Sequence, residues 1–420
     1  MTNRPQPQLS LPKNKIRVLL LEGVHPSAIE ALAEQGYHEV RTLKGALEGD
    51  ALKEALAGVH LLGIRSRTKM TREVIEAADR LIAIGCFCIG TNQVDLEAAR
   101  GAGVPVFNAP YANTRSVAEL TMGEAMLLLR RVPSRSAGAH QGRWDKSAAH
   151  SHEVRGKTLG IVGYGSIGSQ VSILAEAMGM NVLYYDIAPK LPHGNAQATR
   201  SLEELLRESD IVTLHVPELP TTRNMISERE IRLMKPGAIL INNARGSIVD
   251  VEAEARALAE GHLLGAAADV FPVEPKNAST PFESPLQGCD NVILTPHIGA
   301  STLEAQERIG QEVARKLATY SDIGATLGAV NFPEVQLPAR PEGMRFMHVH
   351  QNRPGILRQV NDVMAETGCN VTAQYLQTDG GIGYVVVEAT LGAGTGEGDV
   401  LARLGQLEGT IRTRLIRAAG

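Results

Sequence analysis

Apolar residues in this chain come in short unbroken runs separated by helical spacing. Residues 16–21 (Ile16-Arg17-Val18-Leu19-Leu20-Leu21), 59–64, 81–86 and 104–107 each read as a strand buried on both faces. Between the first two runs Ile29 and Leu32 sit one turn apart, with Pro26 near the start of that helix and Gly36 past its end. Regular alternation of this kind predicts a doubly wound parallel sheet. Residues 114–131 carry a long helical pattern that runs into a loop around Trp144. A second series follows, with strands at Thr158–Val162, 182–185, Ile211–Leu214, 238–241, 264–268 and Val292–Leu294. A helix over 301–320 then returns to the first series. The expected organisation is a discontinuous flavodoxin-like domain, 1–113 with 301–340, and a Rossmann domain, 114–300. Two α/β domains joined by two crossings make a cleft, the usual place for a ligand.

The rhythm changes after 337–343, which reads as a linker. Strands at 345–350, 371–377, 384–389 and Thr410–Ile416, with helices at 355–366 and 399–407, give βαββαβ. That is the ferredoxin-like order, expected to fill 341–420 as a third domain. Residues 1–14 hold three prolines and read as a loose arm, and glycine-rich 392–398 reads as a flexible connection.

Composition narrows the classes. Hydrophobic residues make up 43% and charged residues 21%, as in an ordinary globular protein. The net charge is −4, from 42 basic and 46 acidic residues, with no Lys/Arg-rich run, which argues against nucleic acid as a partner. The longest near-continuous apolar run, 81–90, is short of the roughly 18 residues a membrane span needs. No secretory signal is visible, and four cysteines do not form a disulfide framework, so the expected location is the cytoplasm.

Gly163-Tyr164-Gly165-Ser166-Ile167-Gly168 follows a predicted strand and opens a predicted helix. Glycine permits the tight turn and lets backbone N–H groups and the helix N-terminus approach a pyrophosphate. Asp186 ends the next strand, 23 residues after Gly163, where a carboxylate can accept hydrogen bonds from ribose hydroxyls. It would repel a 2′-phosphate, so NAD is favoured over NADP, with Lys190 the one residue able to soften that preference. The bland reading is a plain α/β turn.

Three polar residues follow strands of the same series: Arg245, Glu274 and His297. A guanidinium can hold a carboxylate bidentately, and an imidazole can take a hydroxyl proton near its working pH. A carboxylate beside the imidazole would raise its pKa and fix its tautomer. Those types suit hydride transfer on a 2-hydroxy acid, although spacing alone leaves a surface ion pair and a packed histidine open. Arg65 and Arg67 follow a buried strand, and their i, i+2 spacing places both on one side of an extended segment, where they could hold an anionic substrate or be solvated. With Asn113 and the backbone of 63–66 they could bind carboxylate and phosphate; Lys44 and Lys146 are further candidates.

The chain resembles the D-2-hydroxyacid dehydrogenases, in their bacterial phosphoglycerate dehydrogenase branch with a C-terminal ACT domain. The likeness covers almost everything after the arm. It rests on Ile64-Arg65-Ser66-Arg67-Thr68, Asn108-Ala109-Pro110-Tyr111-Ala112-Asn113-Thr114-Arg115-Ser116-Val117-Ala118-Glu119, the glycine fingerprint, Leu233-Met234-Lys235-Pro236-Gly237, Asn331-Phe332-Pro333-Glu334-Val335 and His350-Gln351-Asn352-Arg353-Pro354-Gly355. The resemblance implies that Arg245 anchors carboxylate, that His297 is the acid/base and that Glu274 is its partner. It implies that Gly163, Gly165, Ser166, Ile167 and Gly168 meet the pyrophosphate, that Asp186 meets the adenosine ribose, and that Asn243 and Ala244 meet the nicotinamide side. Asp269 would help hold the carboxamide, with His297, Ile298, Gly299 and Ala300 lining the same pocket. The implied reaction is oxidation of 3-phosphoglycerate to 3-phosphohydroxypyruvate, with reduction of 2-oxoglutarate as a side activity. Arg65, Ser66, Arg67, Lys44, Asn113 and Lys146 would bind the substrate, Lys146 from a neighbouring subunit. ACT domains bind amino acids where two copies meet, so His350, Asn352 and Asn370 imply L-serine as inhibitor and a homotetramer, or at least a dimer. Two departures bear on regulation: Ala300 stands where a second glycine often follows Gly299, and Pro341-Glu342-Gly343 replaces a flexible glycine pair. Another 2-hydroxyacid dehydrogenase, such as a glyoxylate or hydroxypyruvate reductase, and a non-catalytic NAD-sensing protein are the alternatives.

Other features have plainer readings. Cys86-Phe87-Cys88 lies in an apolar run and reads as core, His150-Ser151-His152 as a solvated loop, and His215 as packing. No metal is expected.

Overall fold

The computed structural model describes residues 11–275, 280–339, 343–392 and 394–417. They form two compact units, Met1–Ala112 with Gln306–Gly420, and Asn113–Ala305.

The first unit holds two sheets. Strands β1 (Val18–Leu20), β2 (Val40–Thr42), β3 (Leu61–Ile64), β4 (Ala83–Cys86) and β5 (Val106–Phe107) pair in parallel in the order β2-β1-β3-β4-β5. This is the flavodoxin-like order expected from the alternating pattern. β1, β3 and β4 are buried throughout, which is why they read as unbroken apolar runs. β2 was not legible, because it is an edge strand whose Arg41 and Thr42 face solvent. The helix Leu303–Ile323 lays Ile309, Val313 and Leu317 into one core with Ala28 and Leu32.

The second sheet of this unit is antiparallel. Strands β13 (Met344–Gln351), β14 (Asn370–Thr378), β15 (Ile382–Thr390) and β16 (Thr410–Ile416) run β14-β15-β13-β16, the ferredoxin-like order. One face packs Phe346, Val385 and Leu415 against Val360 and Leu404 of its two helices. The other face puts Met347, Val349 and Tyr384 into the same core as Tyr320 and Phe332. Arg345 and Arg414 donate to the carbonyls of Ile323, Tyr320 and Ser321, and the Tyr384 hydroxyl donates to Gly324 O at 2.7 Å. Two cations thus cap the C-terminal end of the long helix, where its dipole is negative.

The supposed linker and arm are more firmly built than their composition suggested. Leu337 is buried, and Arg345 donates to Pro338 O at 2.6 Å; Pro341 and Glu342 lie outside the described residues. Lys13 pairs with Asp322 at 2.7 Å, although residues 1–10 lie outside the description. In the glycine-rich 392–398, Gly392 packs on Gly368, and a helix already starts at Glu397; Ala393 is outside the description.

The second unit holds one parallel sheet. Strands β6 (Thr158–Val162), β7 (Asn181–Tyr185), β8 (Gln197–Ala198), β9 (Ile211–Leu214), β10 (Ala238–Asn242), β11 (Leu263–Ala268) and β12 (Val292–Leu294) take the order β12-β11-β10-β9-β6-β7-β8. That is a Rossmann sheet extended by one strand, with its reversal between β6 and β9. The helical pattern of 114–131 is the helix Thr114–Leu129. Arg131, just beyond its end, has a left-handed φ of 53°, and a further helix, Val132–His140, precedes the expected loop around Trp144.

Candidate active site

The glycine turn follows β6. Gly163 has φ of +93°, and a Cβ there would lie 2.6 Å from His215 O. A Cβ on Gly168 would strike the Gly163 carbonyl, so this glycine sets the close seating of the helix Ser166–Ala177. At Gly165 a Cβ would meet nothing within 4 Å. The open side of the turn therefore carries Gly165 and Ser166, both exposed, with Ile167 half-buried beside them. Asp186 sits one residue past β7 and accepts from the N–H groups of Tyr164 and Ala188, each at 2.9 Å.

Arg245, Glu274 and His297 lie on loops that follow β10, β11 and β12, three neighbouring strands. The first loop is tight: Asn242 donates to Arg245 O at 3.0 Å, and Arg245 Nη1 donates to Ala244 O at 2.7 Å. A side chain on Gly246 would collide with the main chain of Phe271, so glycine is what lets the β10 and β11 loops touch. In the second loop the Phe271 N–H donates to Glu274 Oε1 at 3.2 Å. His297 Nδ1 lies 2.9 Å and 3.1 Å from the two Glu274 oxygens. The imidazole side chain is 51% exposed, and its φ of +55° is a strained conformation for a non-glycine residue.

The charges respond to one another. The hydrogen bond it donates to Glu274 raises the His297 pKa above its ordinary value, against the effect of burial, and the charges of Glu274 and Asp269 add to the rise. Burial pushes Glu274 up, but its bond to His297, the charge of His297, the Phe271 N–H and the charge of Arg245 together bring it below the usual carboxylate range. Arg245 opposes protonation of His297, so its guanidinium lies within electrostatic reach of both.

Sequence reasoning missed what holds these loops. Asp269, 2% exposed, accepts from Thr295 Oγ1 at 2.6 Å and from the N–H groups of Ile298 and Gly299, each at 2.7 Å. It grips the segment on both sides of His297. Asn243 donates to Thr121 at 3.0 Å and to the buried Glu124 at 2.7 Å. With that side-chain donor and one oxygen unpaired among the described residues, burial raises the Glu124 carboxyl to about 7. Ala244 is buried and Ala300 half-buried. Asn113 precedes the helix Thr114–Leu129 without a side-chain capping bond, its Oδ1 buried and unpaired among the described residues, whereas Lys146 is exposed, two residues from a Trp144 that is 84% exposed.

In the first unit Lys44, Arg65, Ser66 and Arg67 lie on loops after β2 and β3, on either side of β1. Lys44, Ser66 and Arg67 are exposed and Arg65 is half-buried. The backbone of 63–66 is less available than its sequence implied, because the Arg65 N–H already donates to Glu22. Cys86 is core as expected, but Cys88 is only half-buried and lies 3.1 Å from Gly90 O. His215 is packed, bonded to Thr213 at 3.0 Å. Among the described residues no cluster of His, Cys, Asp or Glu has metal-binding geometry, and no helix is long and apolar enough to cross a membrane.

In the C-terminal sheet His350 is buried, its Nδ1 3.1 Å from Nδ1 of His348. Asn352 stands just beyond and donates to Asp379 O at 2.8 Å. Asn370 is elsewhere. The register pairs His350 with Gly383 and Gly383 with Thr378, whereas Asn370 pairs with Thr390. Asn370 therefore lies eight residues further along β14, about 26 Å at the usual strand rise, so one copy does not bring the three together.

Comparison with known proteins gives the family. Residues 122–299 match the family described as D-isomer specific 2-hydroxyacid dehydrogenase, NAD binding domain, and residues 346–412 match an AHAS small subunit-like ACT domain. A D-3-phosphoglycerate dehydrogenase of Haemophilus influenzae is 57% identical over 99% of this chain and 100% of its own. One of Escherichia coli is 57% identical over 97% of this chain and 99% of its own. This chain belongs to the D-3-phosphoglycerate dehydrogenase family. Among solved structures, the D-lactate dehydrogenase of Aquifex aeolicus in complex with NAD and lactic acid is 29% identical, with a TM-score of 0.65 over 76% of this chain and 100% of its own.

As a dehydrogenase of this family the chain uses NAD. Its second unit fits that cofactor on its own evidence. The glycine turn presents an open helix N-terminus, Asp186 stands at the end of the next strand, and buried polar atoms of His215, Asn243 and Ser247 have no partner among the described residues.

Proposed function

We propose that this dehydrogenase oxidises 3-phosphoglycerate to 3-phosphohydroxypyruvate. The observation that carries the reading is the His297–Glu274 pair held beside Arg245 on three adjacent loops. Bound NAD supplies the acceptor for the hydride that leaves substrate C2. Arg245 pairs with the substrate carboxylate and polarises the neighbouring oxygen. Because His297 Nδ1 is turned to Glu274, Nε2 carries the lone pair that takes the hydroxyl proton. Glu274 then stabilises the imidazolium that forms. Gly163, Gly165, Ser166, Ile167 and Gly168 seat the pyrophosphate, and Asp186 the adenosine ribose. Asn243, Ala244 and the segment Ile298-Gly299-Ala300 line the nicotinamide side, with Asp269 beneath. Lys44, Arg65, Ser66, Arg67, Asn113 and Lys146 meet the substrate.

L-Serine is the inhibitor this reading assigns to the ACT domain. Its seat is formed by His350 and Asn352 of one copy and Asn370 of another, so the working molecule is a homo-oligomer, a tetramer or at least a dimer, placed in the cytoplasm. The test is NADH formation from 3-phosphoglycerate compared with glycerate. Preference for the phosphorylated acid is expected. Equal use of glycerate would indicate a general hydroxyacid dehydrogenase, and NAD binding without turnover a sensing protein. Arg65→Ala should raise KM for the phosphorylated substrate far more than for an unphosphorylated 2-oxo acid.

A further inference from the structure

Glu22 lies two residues past the end of β1, and its side chain is buried under the loop that follows β3. The residue is 4% exposed and has a left-handed φ of 63°. Its Oε1 accepts from the N–H groups of Arg65 at 3.1 Å and Thr68 at 2.8 Å, and its Oε2 accepts from the N–H of Arg67 at 3.0 Å. The Arg67 Nε lies 3.7 Å from Oε2. The main chain of Glu22 reaches the other way, its N–H donating to Gly45 O at 3.1 Å, one residue from Lys44. Gln93, also buried, adds a bond to Arg65 O at 2.7 Å. One residue thus ties together the two loops that carry Lys44, Arg65, Ser66 and Arg67.

We propose that Glu22 is a positioning residue for substrate selection: by binding the N–H groups on either side of Ser66 it fixes the loop that presents Arg65 and Arg67 to a phosphorylated acid. The proposal rests on the reading that this loop binds the substrate. Three N–H groups converging on one carboxylate leave the loop little freedom, and the anion beneath it draws the backbone inward while its charged side chains stay outside. The cations are then set before substrate arrives, so little ordering accompanies binding.

Glu22→Gln sharpens this into a test. An amide can keep its oxygen on the Arg65 and Thr68 N–H groups only by turning its own NH2 against the Arg67 N–H and guanidinium. The substitution should therefore mimic Arg67→Ala. KM for 3-phosphohydroxypyruvate should rise on the order of tenfold, that for hydroxypyruvate less than about twofold, with kcat nearly unchanged. The double variant Glu22→Gln/Arg67→Ala should be little worse than either single one. Gln93→Leu, which frees the Arg65 carbonyl without altering Glu22, should show the same selectivity at about threefold and keeps the idea testable if Glu22 variants fold poorly. Equal losses on both substrates, or additive effects in the double variant, would overturn the role of Glu22 while leaving the loop's own role standing. If Arg65→Ala and Arg67→Ala leave KM for 3-phosphohydroxypyruvate unchanged, the underlying reading fails and this one with it.

Discussion

Glu22 and Asp269 are the same device used twice. Each is an almost fully buried carboxylate following a strand, and each accepts three hydrogen bonds from the loop after a neighbouring strand. What they hold differs. Glu22 accepts hydrogen bonds from three main-chain N–H groups, with the Arg67 guanidinium 3.7 Å away, and presents arginines, whose charge does not change near neutral pH. Asp269 takes a threonine hydroxyl and two N–H groups and presents an imidazole, which must change protonation to work. Fixed cations need only to be aimed. The imidazole needs a second carboxylate, Glu274, to choose its tautomer and move its pKa. Anchoring and chemical tuning are therefore separate tasks, and the histidine loop requires both.

The largest effect should come from the tuned group itself. His297→Asn should lower kcat about a thousandfold while NAD affinity, read by fluorescence titration, stays within about twofold. A comparable loss of affinity would mean that the imidazole chiefly shapes the cofactor pocket. Asp269→Asn comes next. An amide cannot accept all three bonds, so His297 loses its fixed position and kcat should drop about a hundredfold, in contrast to the KM effect expected for Glu22→Gln. If Asp269→Asn alters only KM, the two anchors are not separated by task.

Glu274→Gln isolates the tuning. Glu274 raises the His297 pKa, so its removal lets that pKa fall back. Hydroxy-acid oxidation needs neutral His297, and the acid limb of its pH–rate profile should move to lower pH. Reduction of the 2-oxo acid needs the protonated form, and its alkaline limb should move to lower pH as well. An unshifted profile would assign the limbs to another group.

Glu124 shows a buried carboxylate with few donors. Its folded pKa of about 7 exceeds the ordinary carboxylate value, so the unfolded chain releases this proton first. Stability contributed by the protonated form is complete at low pH and is lost as pH rises toward 7. Glu124→Gln should therefore resist denaturant better than the parent at pH 8, by at most about 3 kcal/mol, with the advantage gone near pH 4. A constant difference across that range would remove Glu124 as the source.

The reasons for reading or missing each feature are local. β1, β3 and β4 were legible because burial on both faces demands unbroken apolar runs. β2 was not, since an edge strand tolerates Arg41 and Thr42. Arg245, Glu274 and His297 drew notice as polar groups after strands, and Asp186 by its distance from the glycine turn. Glu22 drew none, because a carboxylate after a strand is ordinarily a solvated turn residue. Val132–His140 was lost because its apolar positions are few.

From its order of residues alone this chain determined three sheets, a dinucleotide turn and the chemical types that stand at strand ends, because secondary structure follows periodicity and side-chain chemistry travels with the residue. Tertiary structure alone decided that Glu22 would seize a loop more than forty residues away, that Asp269 would grip the histidine segment, and that Asn370 would lie far along its sheet from His350. Those facts depend on which strands become neighbours and in what register, and hydrogen bonds between distant loops leave no periodic trace in the chain that makes them.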